Sequence, residues 1–201
     1  MAVVSKEKAS PRQVTLYTES NPNPNSMKFV ANFMLVQDGQ SHDFPNSKAA
    51  ANAPLALSLF ENFSFVVRVF YMSNFVTVTK SDEIGWEEAR ILVSQAIKEY
   101  LEKDEPILTE SATEEVVEEA VEEEDGIIKQ IKDVLDEYIK PAVEMDGGAI
   151  TFDSYEDGVV KVLLQGSCSG CPSSTVTLKA GIENLLQRAI PEVKSVEATE
   201  V

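Results

Sequence analysis

The sequence predicts an α+β protein made of two small domains joined by an acidic linker. Three observations lead there. First, 43% of the 201 residues are hydrophobic, which is enough to build packed cores. Second, segments that alternate every two residues are interleaved with segments of helical period in both halves. Third, the acidic charge is concentrated: Asp104, Glu105, Glu110, Glu114, Glu115, Glu118, Glu119, Glu122, Glu123, Glu124 and Asp125 lie in one stretch without a Lys or Arg. Like charges at that density repel and resist compaction. The expected division is an N-terminal domain over 11–103, a linker over 104–125 and a C-terminal domain over 126–201.

In the N-terminal domain, Gln13 to Thr18 alternates and reads as a strand. Asn21-Pro22-Asn23-Pro24-Asn25 is a turn cluster, because Asn favours turns and Pro fixes φ; it is assigned no further role. Met27 to Val36 reads as a second strand, ended by Asp38-Gly39. Pro54 to Asn62 reads as a helix with Pro at its first position. Phe65 to Tyr71 and Phe75 to Thr79 are β-branched and aromatic and form a hairpin around Met72-Ser73-Asn74. Trp86, Ala89, Val93, Ile97 and Leu101 recur at helical spacing. The aromatic residues Phe63, Phe65, Phe70, Phe75 and Trp86 are read as core.

The C-terminal domain reads as α-β-β-α-β. Ile127, Ile131, Val134, Leu135 and Tyr138 have helical spacing, and Pro141 follows near the end of that helix. Asp146-Gly147-Gly148 is a turn. Ala149 to Tyr155 and Val159 to Gln165 are strands around Asp157-Gly158, a strong hairpin signal. Thr177 to Ala189 carries Leu178, Ile182, Leu185 and Leu186 on one face, and Val193 to Ala198 is a last strand.

Charge excludes several functions. With 17 Lys and Arg against 34 Asp and Glu, the net charge is −17. Phosphate contacts need clustered cations, so neither nucleic acid nor an anionic membrane is expected as a partner. No apolar run approaches the roughly 18–20 residues of a membrane-spanning helix. Residues 1–10 are polar and mixed without an export signal, so the expected location is cytoplasmic, with cysteines kept as thiols or metal ligands. The single histidine, His42, would have to serve any Ser-His-Asp or Cys-His catalyst; it lies in a polar stretch and reads as a surface residue.

Both cysteines sit in one C-x-x-C, Cys168-Ser169-Gly170-Cys171, between a strand and a helix. The helix N-terminus should favour thiolate over thiol there. Gly166 and Gly170 keep side chains away from the sulfurs. Four readings compete. Two small buried hydrophobes are poorly served by a Gly/Ser/Pro loop. A zinc site would have half its usual ligands. A thioredoxin-like dithiol oxidoreductase suits the strand-to-helix junction. An iron–sulfur cluster takes four thiolates, so two chains would have to share it. Spacing alone does not choose between the last two, and a plain interaction module with an incidental pair is a further alternative.

Resemblance does choose. From Ile131 to Val196 the chain closely resembles the C-terminal domain of the NifU-like (Nfu) iron–sulfur proteins. The resemblance runs through Leu135 to Val143, Asp146-Gly147-Gly148, Asp157-Gly158-Val159-Val160, Leu164 to Ser174, Thr177 to Glu183 and Ile190-Pro191-Glu192-Val193. The N-terminal half resembles the Nfu N-terminal domain through Asn21 to Phe29, Pro54-Leu55-Ala56, Leu59-Phe60 and Phe75 to Lys80. The resemblance implies a non-enzymatic scaffold or carrier with Cys168 and Cys171 as ligands of the iron. The cluster, 4Fe–4S in preference to 2Fe–2S, would bridge a homodimer. An upstream donor and apo iron–sulfur proteins would be the partners. The N-terminal domain would recognise them, and a linker with a span on the order of 25 Å would let one domain deliver while the other holds.

Overall fold

A computed structural model describes residues 13–109, 126–169 and 172–200. Two α+β units are present. The N-terminal one contains β1 (Leu16–Ser20), β2 (Ser26–Ala31), β3 (Ser41–Phe44), α1 (Pro54–Asn62), β4 (Val66–Met72), β5 (Phe75–Lys80) and α2 (Trp86–Glu102). Its sheet runs β1-β2-β5-β4-β3, and each neighbouring pair is antiparallel. One face of the sheet presents Phe29, Val69, Tyr71, Val76 and Val78 to the helices. Leu55, Ala56 and Leu59 of α1 and Val93, Ile97 and Tyr100 of α2 close that core. Period-two strands facing period-3.6 helices allow this packing. Glu87 and Glu88 in the first turn of α2 complement its dipole.

Alternation puts Val30, Phe70, Met72 and Phe75 on the other face, where they form a second apolar cluster with Ala149 of the C-terminal unit. Phe70 and Phe75 are therefore buried as expected, but against the other unit. Phe63, Phe65 and Trp86 are half-buried on the helical side. Past α2, Thr109 N–H donates to the Asn52 carbonyl and Tyr100 Oη to that of Pro106, and Ile107 and Leu108 pack on the N-terminal core. Most of the expected acidic linker, 110–125, lies outside the described residues.

Three N-terminal expectations change. The first strand lies at Leu16–Ser20, because its ladder with β2 pairs Leu16 with Ala31 and Ser20 with Met27. The second stops at Ala31, where the Asn74 side chain caps the Ala31 carbonyl at 3.0 Å. β3 was not expected: Ser-His-Asp-Phe has no apolar alternation, and it pairs only at the sheet edge. His42 accordingly sits half-buried in β3 opposite Tyr71 rather than loose on the surface.

The C-terminal unit contains α3 (Gly126–Val134), a π-helical turn (Leu135–Ile139), α4 (Lys140–Met145), β6 (Gly148–Glu156), β7 (Val159–Gly166), α5 (Pro172–Ala189) and β8 (Ser195–Glu200). β6 and β7 form the expected antiparallel hairpin, and α5 crosses over to bring β8 parallel to β7. The helix does not end at Pro141. Proline has no N–H and its ring would meet the carbonyl one turn back. The preceding turn widens instead, with Lys140 N–H bonded to the Leu135 carbonyl, and helix continues to Met145. Ile131, Leu135, Val143, Ile182, Leu186 and Val196 centre this second core.

Candidate functional site

The cysteine loop leaves β7 at Gly166, whose φ is +67°. A side chain there would be strained by that angle and would also meet the Gly147 carbonyl and the Phe70 ring, 2.8 and 2.9 Å from its Cβ. Hydrogen bonds then fix the loop. Ser169 Oγ donates to the Leu164 carbonyl at 2.7 Å, and Ser169 N–H to that of Gly166 at 3.2 Å. Ser167 N–H reaches the Gly147 carbonyl at 3.3 Å, while Ser167 Oγ donates to that of Asp146. The Asp146-Gly147-Gly148 turn is thus a turn as expected, and it is also one wall of the cysteine loop.

Cys168 follows, only 7% exposed and packed within the C-terminal core. Its Sγ lies over Gly148, where a Cβ would come within 2.9 Å of the sulfur. Ser167 Oγ is 3.9 Å from it. A cavity of about 190 Å³ adjoins the thiol, lined by Pro22, Asn23, Asp146, Ser167, Cys168, Thr177 and Leu178. Cys171, the other expected ligand, lies outside the described residues, as does Gly170.

The expected thiolate at Cys168 is corrected. Burial pushes its pKa up to about 11; the Ser167 hydroxyl works against that push, and the nearby Asp146 carboxylate adds to it. A helix dipole acts within its first turn, and α5 begins only at Pro172, so desolvation prevails at Cys168. The Asp146 carboxyl is itself raised by burial, with Lys28 acting in the opposite direction.

Sequence reasoning assigned no role to the Asn-Pro turn, and this too is corrected. Asn23 is 3% exposed, and its Nδ2 donates to the Ser167 carbonyl at 2.9 Å, next to Cys168. Thr77 of β5 donates through Oγ1 to the Gly147 carbonyl at 2.7 Å. Both contacts join residues far apart in the chain, and no local sequence signal points to either. Among the described residues, no group of three or more His, Cys, Asp or Glu is arranged to hold a metal ion.

The profile of the NifU-like domain matches residues 131–197, and that of the scaffold protein Nfu/NifU N terminal matches residues 16–104. NifU-like protein 5, mitochondrial, of Arabidopsis thaliana is 41% identical over 189 residues, covering 92% of this chain and 68% of that protein. The chain belongs to the NifU-like family. Further NifU-like relatives agree: NifU-like protein 4, mitochondrial, of Arabidopsis thaliana is 41% identical over 92% of this chain and 66% of its own length. The NFU1 iron-sulfur cluster scaffold homolog, mitochondrial, of Drosophila ananassae is 42% identical over 92% and 64%. The chain thus spans about two-thirds of the length of these curated relatives. The solution NMR structure of a NifU-like protein from Saccharomyces cerevisiae aligns with a TM-score of 0.45 at 20% identity, over 55% of this chain and 99% of that one.

These relatives overturn the expected cytoplasmic location, since all three are named mitochondrial. That expectation rested on the composition of residues 1–10. Import segments are removed after delivery, so the folded domains of an imported protein carry no compositional mark of the compartment. No helix among the described residues is long and apolar enough to cross a membrane.

Proposed function

We propose that this chain is a mitochondrial iron–sulfur cluster scaffold and carrier rather than an enzyme. The observation that carries the reading is that the NifU-like domain holds both cysteines of the chain in one C-x-x-C, Cys168 and Cys171, at a strand-to-helix junction. The naming of the Drosophila relative as an iron-sulfur cluster scaffold homolog supports it. The cluster is cargo, and the two thiolates hold it. A 4Fe–4S cluster takes four thiolates, so two chains share one cluster and separate to release it to an apo-protein. The division into domains at 11–103 and 126–201 around an acidic tether belongs to this reading, with the N-terminal domain meeting donors and clients. The dithiol oxidoreductase alternative draws no support from Cys168: a redox nucleophile needs an accessible thiolate, and this thiol is buried with its pKa pushed up to about 11.

The residues fit soft-metal ligation. Gly148 carries no side chain that would crowd the sulfur, and a bound iron displaces the thiol proton that burial retains. The test is anaerobic reconstitution with iron and sulfide, followed by iron, sulfide and mass determination. Wild type should hold roughly four irons and four sulfides per dimer. Cys168→Ser and Cys171→Ser should each lose the cluster and remain folded. A cluster retained by Cys168→Ser would overturn the ligand assignment.

A further inference from the structure

The two units touch, and they touch at the cysteine loop. From the N-terminal side, Asn23 holds the Ser167 carbonyl and Thr77 holds that of Gly147. Lys28 Nζ reaches the carbonyls of Glu144 at 3.3 Å and Met145 at 3.4 Å, and Ser41 Oγ donates to Gln165 Oε1 at 3.1 Å. Ala149 is inserted among Val30, Phe70, Met72 and Phe75, and the Phe70 ring stands against Gly166. The C-terminal groups named here come from 144–149 and 165–167, the two segments that frame Cys168. The cavity beside the thiol is walled on one side by Pro22 and Asn23 of the other unit.

We infer that the N-terminal domain is an intramolecular cap on the cysteine loop, docked in the cluster-free chain and displaced when a second chain brings its cysteines to a shared cluster. The inference rests on the scaffold reading above. Its basis is steric: a partner's loop must approach the cluster as closely as this chain's own, and here the approach to Cys168 is taken up by the Asn-Pro turn and the open face of the sheet. The docked state also carries polar groups that resist burial. Both polar atoms of the Asn21 amide are buried without a hydrogen-bond partner among the described residues. Asn21 lies at the junction, its Nδ2 3.5 Å from where a Gly147 Cβ would stand. An interface with such uncompensated groups is suited to opening.

Two variants of the full chain test this. Ala149→Arg places a charged side chain where the apolar neighbours come from the N-terminal sheet, and Thr77→Val removes one hydrogen bond with little change in shape. Backbone amide chemical shifts of segments 75–80 and 144–149 read docking, because Phe70, Phe75 and the Thr77 hydroxyl act on them across the junction, and the rise of cluster absorbance during anaerobic reconstitution reads loading. Ala149→Arg should move the shifts of both segments to those of the separate domains and load at least threefold faster than wild type. Thr77→Val should shift both readouts the same way by less, and it also checks that any effect is not misfolding. Wild type should show the same movement of shifts in residues 75–80 on loading. If the opened variants load at the wild-type rate, or loaded wild type keeps its docked shifts, the cap is refuted while the scaffold reading stands. If wild type takes up no cluster at all, the scaffold reading falls and the cap with it.

Discussion

Cys168 and Asp43 show how burial can override a favourable neighbour. At Cys168 that neighbour is a helix start, yet desolvation raises the thiol. At Asp43 it is a cation: Arg68 donates to its carboxylate, and the Asp43 side chain is only 1% exposed. Burial nevertheless pushes the carboxyl up from 3.8 to about 6, with Arg68 and the amides of Gly166 and Phe44 opposing. The direction sets a pH prediction. A carboxyl whose folded pKa lies above its unfolded value holds its proton longer in the folded state. Its penalty on folding is absent below pH 3.8, grows through the window and is complete above about 6. At about 1.4 kcal/mol per pKa unit, the penalty at pH 7 is on the order of 3 kcal/mol. Relative to Asp43→Asn, wild type should therefore lose stability as pH rises from 4 to 7, measured by urea unfolding at each pH. A difference independent of pH would mean that Asp43 is not buried in this way. The cysteine pair was legible in the sequence because two cysteines in a Gly/Ser loop have few other uses. Asn23 was not, because its partner lies 144 positions away.

Elements were legible where period and punctuation agreed. Pro54 and the apolar face after it gave α1 its bounds, and Asp157-Gly158 gave the β6–β7 hairpin. β3 was not legible, since an edge strand needs only one buried side chain, here Phe44. The helix past Pro141 was missed because a π turn absorbs the proline, a remedy with no local sequence signal. The last element shows how a single polar side chain can fix an element's start. Glu183 on α5 accepts the Val196 N–H of β8 at 2.9 Å and so ties the crossover helix to the strand it delivers. Hydrogen bonds to charged acceptors contribute about 1.5–3 kcal/mol. Glu183→Ala should lower C-terminal domain stability by about 1–2 kcal/mol in urea, and Glu183→Gln by less, because it keeps an acceptor. Equal losses in the two variants would show that the packing of the side chain matters and the hydrogen bond does not.

Over the whole molecule the charge and the contact between the units bear on the same question, how tightly the domains hold each other. Eleven of the seventeen net negative charges lie between Asp104 and Asp125, so the two domains themselves repel little. Their contact has one small apolar centre. One alanine enters a cluster of four apolar side chains, and a few hydrogen bonds frame it. Stable interfaces between separate proteins set large anchors of both partners into each other's pockets; here the large side chains come from one unit and the other contributes an alanine. Covalent connection of the two units supplies an effective concentration on the order of millimolar, enough to keep a weak contact closed. Each domain has its own core, so cutting the tether should leave both folded. A protease site inserted between residues 110 and 125 makes this measurable. Uncut apo-protein should show the amide shifts of the docked state. After cleavage at micromolar concentration, the two halves should separate on a sizing column, and the shifts at 75–80 and 144–149 should move to those of the separate domains. Halves that stay together would mean that the contact is a permanent interface, and the N-terminal domain could not then leave the cysteine loop on the timescale of cluster delivery.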